Sequence, residues 1–493
     1  MIPSILSSQL KRGLADYIDT TFQITTPLFQ NTITDLLEHK NKVFRDPYVS
    51  VKLPFRKCEE YKQWFEGIDL KFPPYLHQEK SFERLNYNSP KSTLVATGTG
   101  SGKTECFLYP ILEYCYKHIG EDGIKAILIY PMNALATDQA KRLAELINNN
   151  DNLRGSVKAG MFVGDKEEHP SKNMTSKQII TDRDVLRDNP PDILLTNYKM
   201  LDYLLLRPND AKLWNKNNPA TLKFIVVDEL HTFDGAQGTD LAVLIRRLKA
   251  RLFTPSNYLC CVGTSATMGS KQHGQALRAY ASNIFGENFD ETSIITEDRL
   301  SSSEFFEDID IDYMDIPNKD SFEKLSEIVN GKFDEIEYIK ECVKLWFNKD
   351  YDRVYIQTKE FRVNLSDELR HCKFFRDIVD IINSKSVEYR YIFERLSRTY
   401  TLLNNEESYE YFINLLESIL ALTSYARLDG GKDKMVFFLQ VHIQIWLKEL
   451  RRLVAKVDKN VKLELYDSLD DNSNEKSRSY LPPINCRDCG ATG

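Results

Sequence analysis

Short apolar runs recur along residues 92–263, each followed by a polar turn and then by a stretch with helical spacing. Ser92–Ala96, Ala126–Tyr130, Asp192–Leu195, Phe224–Val227 and Leu259–Gly263 are brief and mostly apolar. That pattern predicts strands buried on both faces. Alternation of such strands with amphipathic segments predicts an α/β fold, a doubly wound parallel sheet whose functional loops share one edge. The pattern changes on either side. Residues 1–70 read as a helical lead-in with an extended stretch at Val51–Arg56. From 301 to 469 strand signals thin out and Phe322–Ile328, Asp367–Ile382 and Tyr409–Leu422 have helical spacing, which predicts a mainly helical accessory region. Residues 470–493 begin as a polar linker, so the expected division is 1–70, 71–300, 301–469 and 470–493.

Two of the strand ends carry chemistry. Gly98, Gly100 and Gly102 lead into Lys103-Thr104 after the first run. Glycines let the chain turn tightly and point successive N–H groups at an anion, to which a helix start adds its dipole. Thr99, Gly100, Ser101, Gly102, Lys103 and Thr104 are therefore the expected cradle for a nucleotide, with Lys103 reaching the β and γ phosphates. About 125 residues later, Asp228-Glu229-Leu230-His231 follows Phe224–Val227. Asp228 and Thr104 are placed to hold magnesium, and Glu229 to polarise an attacking water. Either element alone also fits a plain turn or a solvated loop. Together they supply the two halves of one Mg-ATP site, with Lys103, Asp228, Glu229 and His231 as its catalytic candidates.

These motifs, in this order and spacing, resemble the first RecA-like lobe of superfamily 2 helicases of the DEAD/DEAH type. The resemblance covers roughly residues 72–300. It implies that Gln78 reads adenine, that Ser265-Ala266-Thr267 couples hydrolysis to lobe movement, and that the loops carrying Pro131, Asn133, Gln139, Thr196 and Asn197 grip a nucleic-acid strand. Asn189–Tyr198 and the Phe233–Gly238 tail of the acidic motif are closer to the large Hrq/MrfA-type helicases and their relatives in anti-phage defence. Such helicases act on DNA, so DNA, single-stranded or partly duplex, is the implied partner. Two positions depart from the pattern: Thr97 opens the phosphate loop, and Leu230 stands where alanine is usual.

No Gln-x-x-Gly-Arg-x-x-Arg occurs in the chain. In this superfamily that motif lies in a second lobe and supplies arginines to the transferring phosphate, each contributing on the order of 10³ to 10⁵ in rate in related reactions. The expectation is a helicase front half, a weak hydrolase alone, whose second RecA-like lobe lies beyond residue 493 or arrives in trans with defence partners. The opposing reading is a nucleotide- or DNA-binding module that regulates a larger complex without catalysis. Arg395 and Arg398 read as the polar face of a helix.

Composition sets outer bounds. The chain has 493 residues, 42% of them hydrophobic, a net charge of −7 and a mean hydropathy of −0.42. It lacks the general basic footprint of many nucleic-acid binders, so any strand would be held in a local cleft. No apolar run reaches the roughly 18 residues of a membrane span, no signal peptide is evident, and the nine cysteines are mostly scattered, which together predict a cytoplasmic protein. Arg246, Arg247, Lys249 and Arg251 lie on an amphipathic helix and read as phosphate contacts or as its solvated side. Cys486 and Cys489 have the spacing of half a zinc site, whose other ligands are expected beyond residue 493, with two ordinary thiols as the other reading.

Overall fold

A computed structural model describes the chain apart from residues 1–2, 31, 33–46, 59–61, 71–72, 99, 165–168, 266–273, 332, 432–433, 447–452, 457–460, 462, 466–479 and 487. The chain divides into two compact units, Phe55–Arg299 and a second built from Met1–Pro54 with Leu300–Gly493.

The Phe55–Arg299 unit is a RecA-like α/β lobe. Its strands are β1 (Thr93–Ala96), β2 (Ala126–Tyr130), β3 (Ala159–Phe162), β4 (Ile193–Asn197), β5 (Phe224–Val227), β6 (Cys260–Ser265) and β7 (Ile294–Thr296). They form one seven-stranded sheet in the order β3-β4-β2-β5-β6-β1-β7. Every pairing is parallel. β1, β2, β3, β5 and β6 are buried along their whole length, which is why β1, β2 and β5 read as apolar runs and not as alternating ones; Ala159–Phe162 was not among the expected strands.

Helices α1 (Leu76–Arg84), α2 (Lys103–Lys117), α3 (Asn133–Asn148), α4 (Arg183–Asp188), α5 (Tyr198–Leu206), α6 (Gly235–Leu252) and α7 (Gly274–Phe285) complete this lobe. Two apolar layers sandwich the sheet. One joins Val95, Leu128 and Val226 to Phe107 and Ile111 of α2 and to Leu143 of α3. The other joins Leu94, Ile127 and Ile225 to Leu201 of α5 and to Leu241, Ile245 and Leu248 of α6. Alternate residues of one strand thus face opposite layers, as the two-residue period of a strand requires. The carboxyl ends of β1, β5 and β6 lie side by side, and the phosphate loop and the acidic motif leave from them.

The other unit is mainly helical. Lys373–Ile382 buries Phe374, Phe375, Ile378, Val379 and Ile382, and Tyr409–Tyr425 buries residues around almost its whole circumference. Both join one core that also takes in Val49, Val51 and Leu53. The expected Asp367–Ile382 helix is two helices, Lys359–Arg370 and Lys373–Ile382, because Cys372 is extended (φ −91°, ψ 119°). Tyr48–Lys52 is a strand, paired antiparallel with Gln440–Gln444. Arg395 is exposed on Tyr389–Leu396, and Arg398 lies exposed just past its end. No described helix is long and apolar enough to cross a membrane.

Candidate nucleotide site

The phosphate loop leaves β1 with Gly100 and Gly102 at φ +78° and +75°. Side chains rarely adopt that conformation. At Gly102 there is also no room: a Cβ would stand 2.3 Å from Gln78 Nε2. Gly102 caps the first turn of α2, so Lys103 and Thr104 occupy that turn, where helix N–H groups have no intrahelical acceptor. Thr97, one of the two departures from the family pattern, closes the loop internally, its Oγ1 accepting from the Ser101 hydroxyl at 2.7 Å. Thr99 lies outside the described residues.

Two neighbours hold the far end of the loop. Gln78 Nε2 donates to the Gly102 carbonyl at 3.1 Å, while its Oε1 accepts the Tyr75 N–H at 2.9 Å. His77, fully buried, sets Nε2 2.8 Å from the Ser101 carbonyl. A carbonyl only accepts, so Nε2 carries the proton. Nδ1 is buried with no hydrogen-bond partner. Burial therefore pushes the His77 pKa down, because protonation would strand a second donor.

The acidic motif meets the loop across the strand ends. Lys103 Nζ lies 2.7 Å from Glu229 Oε1, with the two side chains 13% and 24% exposed. Glu229 is left-handed (φ 49°), a conformation rare outside glycine, and its N–H donates to Thr264 Oγ1 at 3.1 Å. The Thr264 hydroxyl in turn donates to Asp228. Thr264 thus ties β6 to both acids at once. Burial raises the Asp228 pKa above its ordinary value, opposed by the Thr264 hydroxyl and by Lys103. The second Glu229 oxygen is buried without a hydrogen bond, 3.4 Å from His231 Nδ1. Ser265 Oγ lies 3.1 Å from the same His231 nitrogen, which places the serine expected to couple hydrolysis to movement against the acidic motif. Ala266 and Thr267 fall outside the described residues. Leu230, the other departure, packs 2.7 Å from where a Gly263 Cβ would stand, so a glycine in β6 makes room for the larger side chain.

Of the remaining candidates, Pro131 follows β2, Asn133 and Gln139 lie on α3, and Thr196 and Asn197 end β4. Asn133 and Asn197 join the start of α3 to the end of β4, Asn197 Nδ2 donating to Asn133 Oδ1 at 2.7 Å. Asn197 Oδ1 also caps α5 through the Met200 N–H. Thr196 is buried and donates to the Phe162 carbonyl at 2.8 Å. Gln139 lies within α3 with Oε1 buried and without a partner, and Pro131 is partly exposed just before that helix. On α6, Arg246 donates to Asn283 O, Arg247 pairs with Asp202 and Lys249 with Glu287. Three of the four basic residues are thus committed within the lobe, and Arg251 is exposed.

Hard oxygen donors from Asp228 and Thr104 suit magnesium, whose shell is ordinarily completed by phosphate and water. Zinc finds no support. Cys486 and Cys489 are both exposed free thiols, and among the described residues no group of three or more His, Cys, Asp or Glu is placed to hold a metal. Zinc needs about four ligands. The Cys486 thiol is instead held below its usual pKa by the backbone N–H groups of Cys489 and Asp488.

In a lobe of this topology, a glycine-rich loop facing an Asp-Glu pair across adjacent strand ends is a candidate nucleotide site. Residues 75–274 match the DEAD/DEAH box helicase family, and the chain carries a DEAD/DEAH box helicase domain. It is similar to Druantia protein DruE of Escherichia coli, 28% identical over 325 residues, 46% of this chain and 18% of the relative. The uncharacterized ATP-dependent helicase MJ1574 of Methanocaldococcus jannaschii is 34% identical over 227 residues, 44% of this chain and 30% of the relative. The crystal structure of DUF1998 helicase MrfA bound to DNA and AMPPNP shares 24% identity over 56% of this chain and 34% of its own, with a TM-score of 0.38. The chain matches less than a third of the length of either curated relative.

Proposed function

We propose that this chain binds ATP with magnesium at the edge formed by β1, β5 and β6 and contributes that site to an ATP-dependent DNA helicase or translocase. The observation that carries the reading is the convergence of Lys103 on Glu229, beside Asp228, at adjacent strand ends. N–H groups of the loop and the α2 N-terminus receive the phosphates. Lys103 exchanges Glu229 for phosphate oxygens, which frees Glu229 to orient water as general base. Asp228 and Thr104 hold magnesium, which offsets charge on the transferring phosphate. Gln78 already spends one N–H and its oxygen on the lobe, leaving one amide hydrogen for a purine edge.

Hydrolysis at full rate also requires cations on the transferring phosphate from outside this lobe. A second RecA-like lobe, in the same polypeptide or in trans, supplies them in this reading. Pro131, Asn133, Gln139 and Asn197 form the DNA-facing edge in this reading, with Asn133 tied to Asn197 and the buried Thr196 supporting Asn197 from within β4. The likeness to the Druantia protein supports an anti-phage setting with protein partners. The test is ATP turnover with and without single-stranded DNA for the wild type and Glu229→Gln. DNA-stimulated turnover lost in the variant supports a motor. DNA binding that ignores nucleotide, with no turnover even when the second lobe is supplied, favours the regulatory module.

A further inference from the structure

The phosphate loop is held at its entry end as well as at its exit. Gly98 N–H donates to Glu297 Oε2 at 3.0 Å. Glu297 lies just past β7, its side chain 28% exposed, and Arg299 grips it as a fork: Nε to Oε1 at 2.9 Å and Nη2 to Oε2 at 3.3 Å. The Arg299 guanidinium in turn sits 3.8 Å from the centre of the Phe55 ring. A carboxylate beside an anion site repels the anion. Paired with an arginine whose side chain is 9% exposed, it is neutralised and fixed in orientation.

The same segment reaches the exit end of the loop through backbone pairing. Phe55 and Arg299 form an antiparallel bridge, as do Lys57 and Tyr75. Arg56 N–H donates to Asp298 O at 2.9 Å, and Leu76 N–H to Arg56 O at 2.9 Å. Residues 297–299, 55–57 and 74–76 are thus one narrow ribbon. Its first edge carries Glu297 to Gly98, and its last carries His77 to Ser101 and Gln78 to Gly102. The ring of Phe55 lies 5.4 Å from that of His77, which adds packing to the hydrogen bonds.

We infer that Glu297, oriented by Arg299, is a positioning residue for nucleotide binding that fixes the entry of the phosphate loop in register with its Gln78-held exit. The inference rests on the proposed ATP site. It predicts that Glu297→Ala weakens Mg-ATP binding about tenfold, since a hydrogen bond to a charged group is lost and the loop is ordered only at one end. Glu297→Gln keeps an amide oxygen for Gly98 N–H and stays within about threefold.

The experiment is equilibrium binding of Mg-ATP to the full chain, with thermal melting and amide exchange at Gly98, for wild type, Glu297→Ala, Glu297→Gln, Arg299→Lys and Lys103→Ala. Support requires weaker binding and faster Gly98 exchange in Glu297→Ala, with recovery of both in Glu297→Gln at an unchanged melting temperature. Should Glu297→Ala not fold, Arg299→Lys decides: it keeps the charge, breaks the fork, and is expected to weaken binding about threefold. Binding equal to or tighter than wild type in the folded alanine variant, or unchanged binding in Arg299→Lys when the alanine variant does not fold, overturns the inference. Failure of Lys103→Ala to reduce binding would instead overturn the ATP site itself.

Discussion

Lys103 Nζ stands 2.7 Å from Glu229 Oε1, so the cation proposed for phosphates and the carboxylate proposed for water neutralise one another across two strand ends. The pair links the two motifs physically and sets what each variant should do.

Glu229→Gln removes the base and leaves an amide that still accepts from Lys103. Mg-ATP affinity should stay within a few fold, while turnover, measured with the second lobe supplied, falls by at least about a hundredfold, the typical contribution of a general base. Single-turnover hydrolysis of labelled ATP checks this.

Thr264 is fully buried, and its one oxygen serves Asp228 and the Glu229 N–H. Thr264→Val keeps the shape and removes both bonds. The expected loss is about 1–3 kcal/mol of stability, from buried groups left unsatisfied, read by chemical denaturation.

Asp228 gives a pH dependence with a definite sign. Its folded pKa lies above the ordinary 3.8. The folding contribution of its protonated form is complete below the unfolded value and is lost as pH rises through the folded value. Magnesium needs the ionised form, so Mg-dependent ATP binding should weaken on acidification at a pH above the ordinary aspartate range. Thr264→Val removes a bond that lowers this pKa and should move the midpoint higher. A magnesium titration at several pH values measures it.

Gly102→Ala meets both a left-handed backbone and Gln78 Nε2 at 2.3 Å. Relief requires the Gln78 amide to leave the Gly102 carbonyl. Nucleotide binding should fall at least about tenfold, with a stability loss of about 1–3 kcal/mol from backbone strain. Calorimetry and melting on the same variant separate the two.

The lobe was legible because each central strand is buried on both faces and so appears as an apolar run, as at Phe224–Val227. The tight turn at Gly100 and Gly102 was legible because a left-handed backbone restricts residue type. Thr264 received no role of its own, since a threonine at a strand end carries no signal until β6 is placed beside β5. Glu297 and Arg299 lie about 195 residues beyond Lys103, outside any motif, and only the sheet order brings β7 next to β1. For the half zinc site, spacing alone suggested a ligand pair, and folding brings no further ligands to it among the described residues. In the helical unit, Tyr48–Lys52 and Gln440–Gln444 are almost 400 residues apart and pair only through the fold.

The most direct test of the central claim is equilibrium binding of ATP to the purified chain, with and without magnesium, beside Lys103→Ala. Magnesium-dependent binding that falls at least about a hundredfold in the variant, as loss of the phosphate-loop cation predicts, is the expected result. Binding absent from the wild type, or unchanged by Lys103→Ala, would contradict the assignment of this edge as the nucleotide site.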